Sequence, residues 1–190
     1  MSLGPASFEP ERLSTPQGRP GNTPVLFLDV DGVISLFGFD LARPPEGSFH
    51  WINGVLHYIS PACGPRLLRL RERFKLVWAT GWEHTANEYL PHILGLPEGL
   101  PYLVFDGRAE FGTAHWKLGA ISHYAGDEHP LAWIDDSLND ECYEWARRRR
   151  GPTLLVPTRS PEGMLDGHVE ELIAWADALE LGAAPDLGAR

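Results

Sequence analysis

ValLeuPheLeuAspValAspGlyVal, residues 25–33, is the stretch on which the fold turns. Four apolar residues in unbroken succession run into two aspartates spaced two apart, and a glycine follows. Unbroken apolarity marks a strand buried on both faces, as in a parallel sheet, whereas a strand with one wet face alternates. Runs of the same kind recur at LysLeuValTrpAla 75–79, TyrLeuValPhe 102–105, LeuAlaTrpIle 131–134 and ThrLeuLeuVal 153–156. The segments between them are helical in pattern. Ser60-Pro61 opens one in which Leu67, Leu70 and Phe74 recur, and Val169, Leu172, Ile173, Ala176 and Leu179 form one apolar face of the last. Pro91 is expected to shorten or kink the helix after the second strand. This alternation predicts an α/β fold with a doubly wound parallel sheet, helices on both faces and right-handed crossovers.

The flanks and one insertion depart from the alternation. Residues 1–23 are rich in Pro, Gly, Ser and Thr without apolar periodicity and are expected to form a flexible arm; the domain then spans 24–181, and 182–190 form a loose tail. Within the domain, residues 36–60 interrupt the strand-helix rhythm. Asn53-Gly54 between apolar flanks is a hairpin signal, because a type I′ turn needs positive φ at both central residues. A small β-hairpin flap is therefore expected between the first strand and the first helix. Its aromatic residues Phe37, Phe39, Phe49 and Trp51, together with Trp82, are expected mainly to pack the flap onto the domain, with stacking on a base or aromatic leaving group as the alternative.

Composition narrows the function classes. The 190 residues suffice for one sizeable core, and no apolar run is long enough to cross a membrane, so a cytoplasmic protein with no membrane partner is expected. A formal net charge of −10 argues against an extended duplex nucleic-acid surface, which needs clustered Lys and Arg. The one dense basic run, Arg147 to Arg150, sits where positive charge complements a helix C-terminus. Two cysteines, Cys63 and Cys142, are too few for a disulfide framework or zinc site and read as small core residues.

Chemistry concentrates at the carboxyl ends of the strands, where ligands bind in open α/β sheets. Asp29 and Asp31 stand at the end of the first strand, where a bend at Gly32 lets one face a ligand while the other approaches from the side. The further oxygen ligands of a calcium-binding EF-hand loop do not follow them. Thr80 and Gly81 end the second strand with a hydroxyl and free amides, and Glu83 stands where a capping box would place it. Asp135 and Asp136 end the strand at 131–134, with Asp140 four residues on. Two adjacent acids repel unless something positive compensates them, and a divalent cation does so. Helix capping by Asp136 or Ser137 is the plainer use. Lys117 opens a periodic segment between the second and third of these sites.

Asp29 with Asp31, then Thr80, then Lys117, then Asp135 with Asp136 follow the order and context of the four motifs of the haloacid dehalogenase (HAD) superfamily, which the chain resembles over residues 24–180. The resemblance implies a Rossmann-like sheet ordered 3-2-1-4-5, with the two acidic motifs meeting across its centre. It implies a Mg²⁺-dependent phosphohydrolase in which Asp29 is the nucleophile that forms an aspartyl-phosphate and Asp31 the general acid and base. Thr80, Gly81 and Lys117 would bind the phosphoryl oxygens. The ion's ligands would be the Asp29 carboxylate, the Asp31 backbone carbonyl and Asp136, with Asp135 an alternative ligand or one step removed. Family members that act as dehalogenases lack an acid at the Asp31 position.

The intervals from Asp31 to Thr80 and from Thr80 to Lys117 leave no room for a large cap, so the flap is the expected cover. The pattern, including TrpIleAspAsp at 133–136, is also similar to small phosphatase modules associated with RNA repair. Candidate substrates are accordingly a phosphorylated small metabolite, a nucleotide or a nucleic-acid end. The alternatives are a phosphotransferase or mutase using the same intermediate, and a non-catalytic phosphate-binding module.

Overall fold

The computed structural model of the chain describes residues 23–105 and 113–182. The expected arm, apart from Thr23, and the tail beyond Gly182 lie outside the described residues. In chain order the strands are β1 (Val25–Leu28), β2 (Ser35–Leu36), β3 (Ser48–Ile52), β4 (Val55–Ile59), β5 (Lys75–Trp78), β6 (Leu131–Asp135) and β7 (Thr153–Pro157). The helices are α1 (Cys63–Leu70), α2 (Thr85–Leu94), α3 (Leu118–Ala125), α4 (Asp140–Arg148) and α5 (Asp166–Glu180). The fold is α/β, with a four-stranded parallel sheet ordered β5-β1-β6-β7 and a three-stranded sheet ordered β2-β4-β3 whose pairings are antiparallel.

Strand burial follows the sequence pattern. All four residues of β1 and all five of β6 are buried. Alternate side chains enter separate cores: Leu26, Leu28, Trp78 and Ile134 join residues of α1, α2 and α5, while Phe27, Val77, Leu131 and Trp133 join residues of α3 and α4. A sheet covered on both sides has no wet face, which is why these strands carry no alternation.

Three local expectations need correction. The run 102–105 is not a full strand: Tyr102 forms a single parallel bridge to Trp78, extended by Leu103 N–H donating to the Trp78 carbonyl at 2.9 Å. Pro91 neither stops nor shortens α2 at its own position; the helix continues to Leu94 and ends on Gly95. Proline is costly where it removes an N–H bond to the preceding turn, and in this ten-residue helix it falls near the end, with its carbonyl accepting the closing bond from Gly95. The third concerns the flap aromatics. β3 and β4 form the hairpin, with Asn53 at φ 48° and Gly54 at φ 80° as the expected type I′ turn. Phe49 and Trp51, however, stay 55% and 71% exposed, and Phe37 is 50% exposed. Phe49 and Trp51 pair across the ladder with Tyr58 and Leu56 and so occupy the face opposite His57. Register, not apolarity, decides which residues turn inward.

Candidate active site

Parallel pairing brings the strand ends together. Asp29 N–H donates to the Ile134 carbonyl, and Ala79 N–H to that of Leu28, so the residues after β1, β5 and β6 emerge along one edge of the sheet. Asp29, Thr80 and Asp135 are all buried there. Lys117 arrives from a 3₁₀ turn at His115–Lys117 that leads into α3, and it is buried as well.

A buried ion-pair triad forms the centre of the site. Lys117 Nζ lies 2.8 Å from Asp29 Oδ2 and 2.6 Å from Asp135 Oδ2. Asp29 Oδ1 accepts a bond from its neighbour's backbone, Val30 N–H, at 2.8 Å. Asp135 Oδ1 accepts the Ser137 N–H at 2.9 Å, so both of its oxygens are engaged. Asp136 differs. Among the described residues its oxygens accept only hydroxyl bonds, from Ser137 Oγ at 2.9 Å and Ser160 Oγ at 2.7 Å. It lies so close to Gly32 that a Cβ there would fall 2.0 Å from Asp136 Oδ2, and Gly32 also holds φ 73°. Glycine meets both the backbone and the space requirement. The plainer role for Asp136 or Ser137 as the cap of α4 does not arise, because Asn139 is the N-cap and accepts the Cys142 N–H.

Charge in this cluster is unbalanced. Asp29, Asp135 and Asp136 offer oxygens that all lie within 4.8 Å of one another, and Lys117 is the cation in contact with them. Burial pushes the Asp29 carboxyl up to about 8; Lys117 pulls it down, and the Asp135 charge adds to the rise. Burial would lower Lys117, but Asp29 and Asp135 outweigh it and hold its ammonium above the ordinary lysine value. Among the described residues, three hard carboxylate donors stand against one ammonium, a set that could hold a divalent cation, which takes oxygen ligands and relieves their repulsion.

Asp31 is held apart from this cluster. Its side chain is 49% exposed, with Trp82 Nε1–H donating to Oδ2 at 2.9 Å and His57 Nδ1 3.6 Å from Oδ1. The expected capping box at Thr80 does not form. Glu83 adopts φ 47° and its Oε1 accepts the Phe105 N–H at 2.7 Å, while Thr80 Oγ1 accepts the Trp82 N–H at 3.4 Å and α2 begins only at Thr85. A residue in the left-handed region cannot serve as N3 of a helix, so the box is lost to a tertiary bond. Gly81, Trp82 and Thr85 line a cavity of about 200 Å³ whose other wall is Ile52, Asn53, Val55 and His57 of the hairpin.

The structure thus gathers Asp29, Lys117, Asp135 and Asp136, with Thr80 buried at the neighbouring strand end and Asp31 turned to Trp82 and His57 of the cavity wall. The sequence offered no role for Ser160 or His57, gave Ser137 only a capping role, and gave Trp82 packing or aromatic stacking but no hydrogen bond to Asp31. Ser160 was within reach of the strand-end rule, since ThrArgSer at 158–160 directly follows β7. His57 carries no such signal. No protein-family model matches the chain, and no curated protein is detectably similar to it.

Proposed function

We propose that the protein is a Mg²⁺-dependent phosphomonoester hydrolase of the haloacid dehalogenase type, working through an aspartyl-phosphate on Asp29. The observation that carries the reading is the convergence of Asp29, Lys117 and the Asp135-Asp136 pair, from three separated segments, at the carboxyl edge of a parallel sheet. The observed order β5-β1-β6-β7, with the Tyr102 bridge outside β5, is compatible with the 3-2-1-4-5 order of that superfamily and its doubly wound helices. A salt-bridged structural core is the bland reading. It does not account for three acids against one base, since a buried carboxylate without compensation is costly.

Asp29, Asp136 and the Asp31 carbonyl would hold the ion, which when bound supplies positive charge that keeps Asp29 ionised and offsets its repulsion from a phosphate dianion. Asp29 attacks phosphorus, the ester P–O bond breaks, and the departing oxygen takes its proton from Asp31. Water then attacks the aspartyl-phosphate, Asp31 removes its proton, and the Asp29–phosphorus bond breaks to release inorganic phosphate. Lys117 and Thr80 donate to the phosphoryl oxygens, where charge builds in the transition state. Asp135 holds Lys117 in place. The hairpin covers one side of the site, leaving it open to a nucleotide or nucleic-acid end as well as to a small metabolite.

Hydrolysis of p-nitrophenyl phosphate with and without Mg²⁺ is the direct test. Metal-dependent release is expected, and inactivity across a broad phosphate panel would move the assignment to a phosphate-binding module. The paired acids separate further. Asp136→Asn is expected to raise the Mg²⁺ concentration for half-maximal activity more than Asp135→Asn, because among the described residues Asp136 is engaged only by neutral hydroxyls. Asp135→Asn is expected to cost more stability, about 3–5 kcal/mol, as the loss of one partner of a buried ion pair. Metal titration and thermal unfolding of both variants check this, and the reverse order in the titration reassigns the ligand.

A further inference from the structure

We propose that Trp82, braced by His57 of the hairpin, is a positioning residue for the Asp31 carboxyl, so that the flap takes part in the proton-transfer step as well as covering the site. This rests on the phosphohydrolase reading and names residues it does not include. Asp31 lies in the turn after β1 with a half-exposed side chain, and a free carboxylate there would sample several rotamers. General acid catalysis needs one orientation, with an oxygen within hydrogen-bond reach of the leaving group.

The contacts supply that orientation asymmetrically. Trp82 Nε1–H, a donor with no acceptor capacity, fixes Asp31 Oδ2 at 2.9 Å. His57 Nδ1 stands 3.6 Å from the other oxygen, beyond hydrogen-bond distance, and is itself 3.1 Å from Ser35 Oγ. Oδ1 is thereby left for the proton that moves. The Trp82 and His57 rings meet at 4.4 Å between centroids, inclined at 62°, and both line the cavity beside the site. Trp82 is delivered by the turn that replaces the capping box, in which Glu83 sits at φ 47° bonded to Phe105 N–H. Two segments distant in sequence, the loop after β5 and strand β4, therefore converge on one carboxyl group.

A purely structural role for Trp82, packing the hairpin onto the domain, predicts the same loss on every substrate. A positioning role predicts dependence on the leaving group. An alkyl phosphate needs its departing oxygen protonated, while p-nitrophenolate leaves without that help. Trp82→Phe keeps the ring and deletes the donor. In the Mg²⁺-loaded protein it is expected to lower kcat/KM about tenfold for glycerol phosphate and less than about twofold for p-nitrophenyl phosphate, as a fraction of the full general-acid contribution. kcat/KM is the quantity to use, because it reports the steps through phosphoenzyme formation. Asp31→Asn should shift the ratio of the two values in the same direction and further. If Trp82→Phe does not remain folded at the assay temperature, His57→Ala, which removes the brace, should shift the ratio the same way. Equal losses on both substrates overturn the inference while leaving the phosphatase reading intact. Absence of Mg²⁺-dependent turnover of either substrate by the wild-type protein removes both.

Discussion

Asp29→Asn is expected to abolish turnover, by roughly 10⁴-fold or more, as for removal of a covalent nucleophile elsewhere. The amide nearly matches the carboxyl in volume but cannot form the aspartyl-phosphate. The fold should survive, because the substitution replaces a buried ionisable carboxyl with a neutral amide of the same shape and removes no packing group. Its effect on stability has a predictable sign. In the metal-free protein burial, which penalises the charged form, pushes the Asp29 carboxyl up to about 8. A raised carboxyl pKa means that the folded state holds a proton the unfolded state has released. Stability from this group is therefore full below the unfolded value near 4 and is lost as pH rises toward 8. Asp29→Asn removes that loss. Metal-free thermal unfolding should show the variant gaining on the wild type between about pH 4 and 8, and Mg²⁺ should raise the wild-type midpoint more at the upper end. Turnover within tenfold of wild type would dismiss Asp29 as the nucleophile.

Lys117→Met is expected to be the most damaging single change to stability. The methionine fills most of the volume yet leaves Asp29 and Asp135 facing each other in the sheet edge without a cation. Breaking a buried pair on one side typically costs about 3–5 kcal/mol, since the stranded charge keeps its desolvation penalty. Here one substitution takes the cation from two carboxyls at once. Acidification should narrow the gap to wild type, because protonation of either carboxyl removes the repulsion, and saturating Mg²⁺ should narrow it further. Turnover should also fall about 10²–10³-fold with the lost donor to the phosphoryl oxygens. Thermal unfolding across pH, with and without Mg²⁺, tests the stability claim. An unchanged midpoint would mean that the triad does not exist as described.

Much of this was legible in the residues. The unbroken apolar runs at 25–28 and 131–134 required strands covered on both faces, and an acid at the end of each run placed carboxylates together at one edge of the sheet. Asn53-Gly54 specified its hairpin through backbone conformation alone. Where local pattern and local chemistry determine the outcome, sequence suffices. The run at 102–105 was overestimated because strand existence depends on a partner, and Tyr102 finds only one residue of β5 to pair with. Glu83 satisfies the spacing of a capping box, but a backbone amide twenty-two residues away competes for its carboxylate.

Sequence by itself determined which residue types stand at the strand ends and that their charges need compensation. Tertiary structure alone decided how they divide the work: Asp135 locked between Lys117 and the Ser137 amide, Asp136 left to two hydroxyls, Asp31 drawn out to Trp82 and His57. The reason is distance. Each of these contacts except the Ser137 bonds joins segments from eighteen to fifty-one residues apart, and an interaction made only on closure of such loops depends on register and packing that no local pattern encodes.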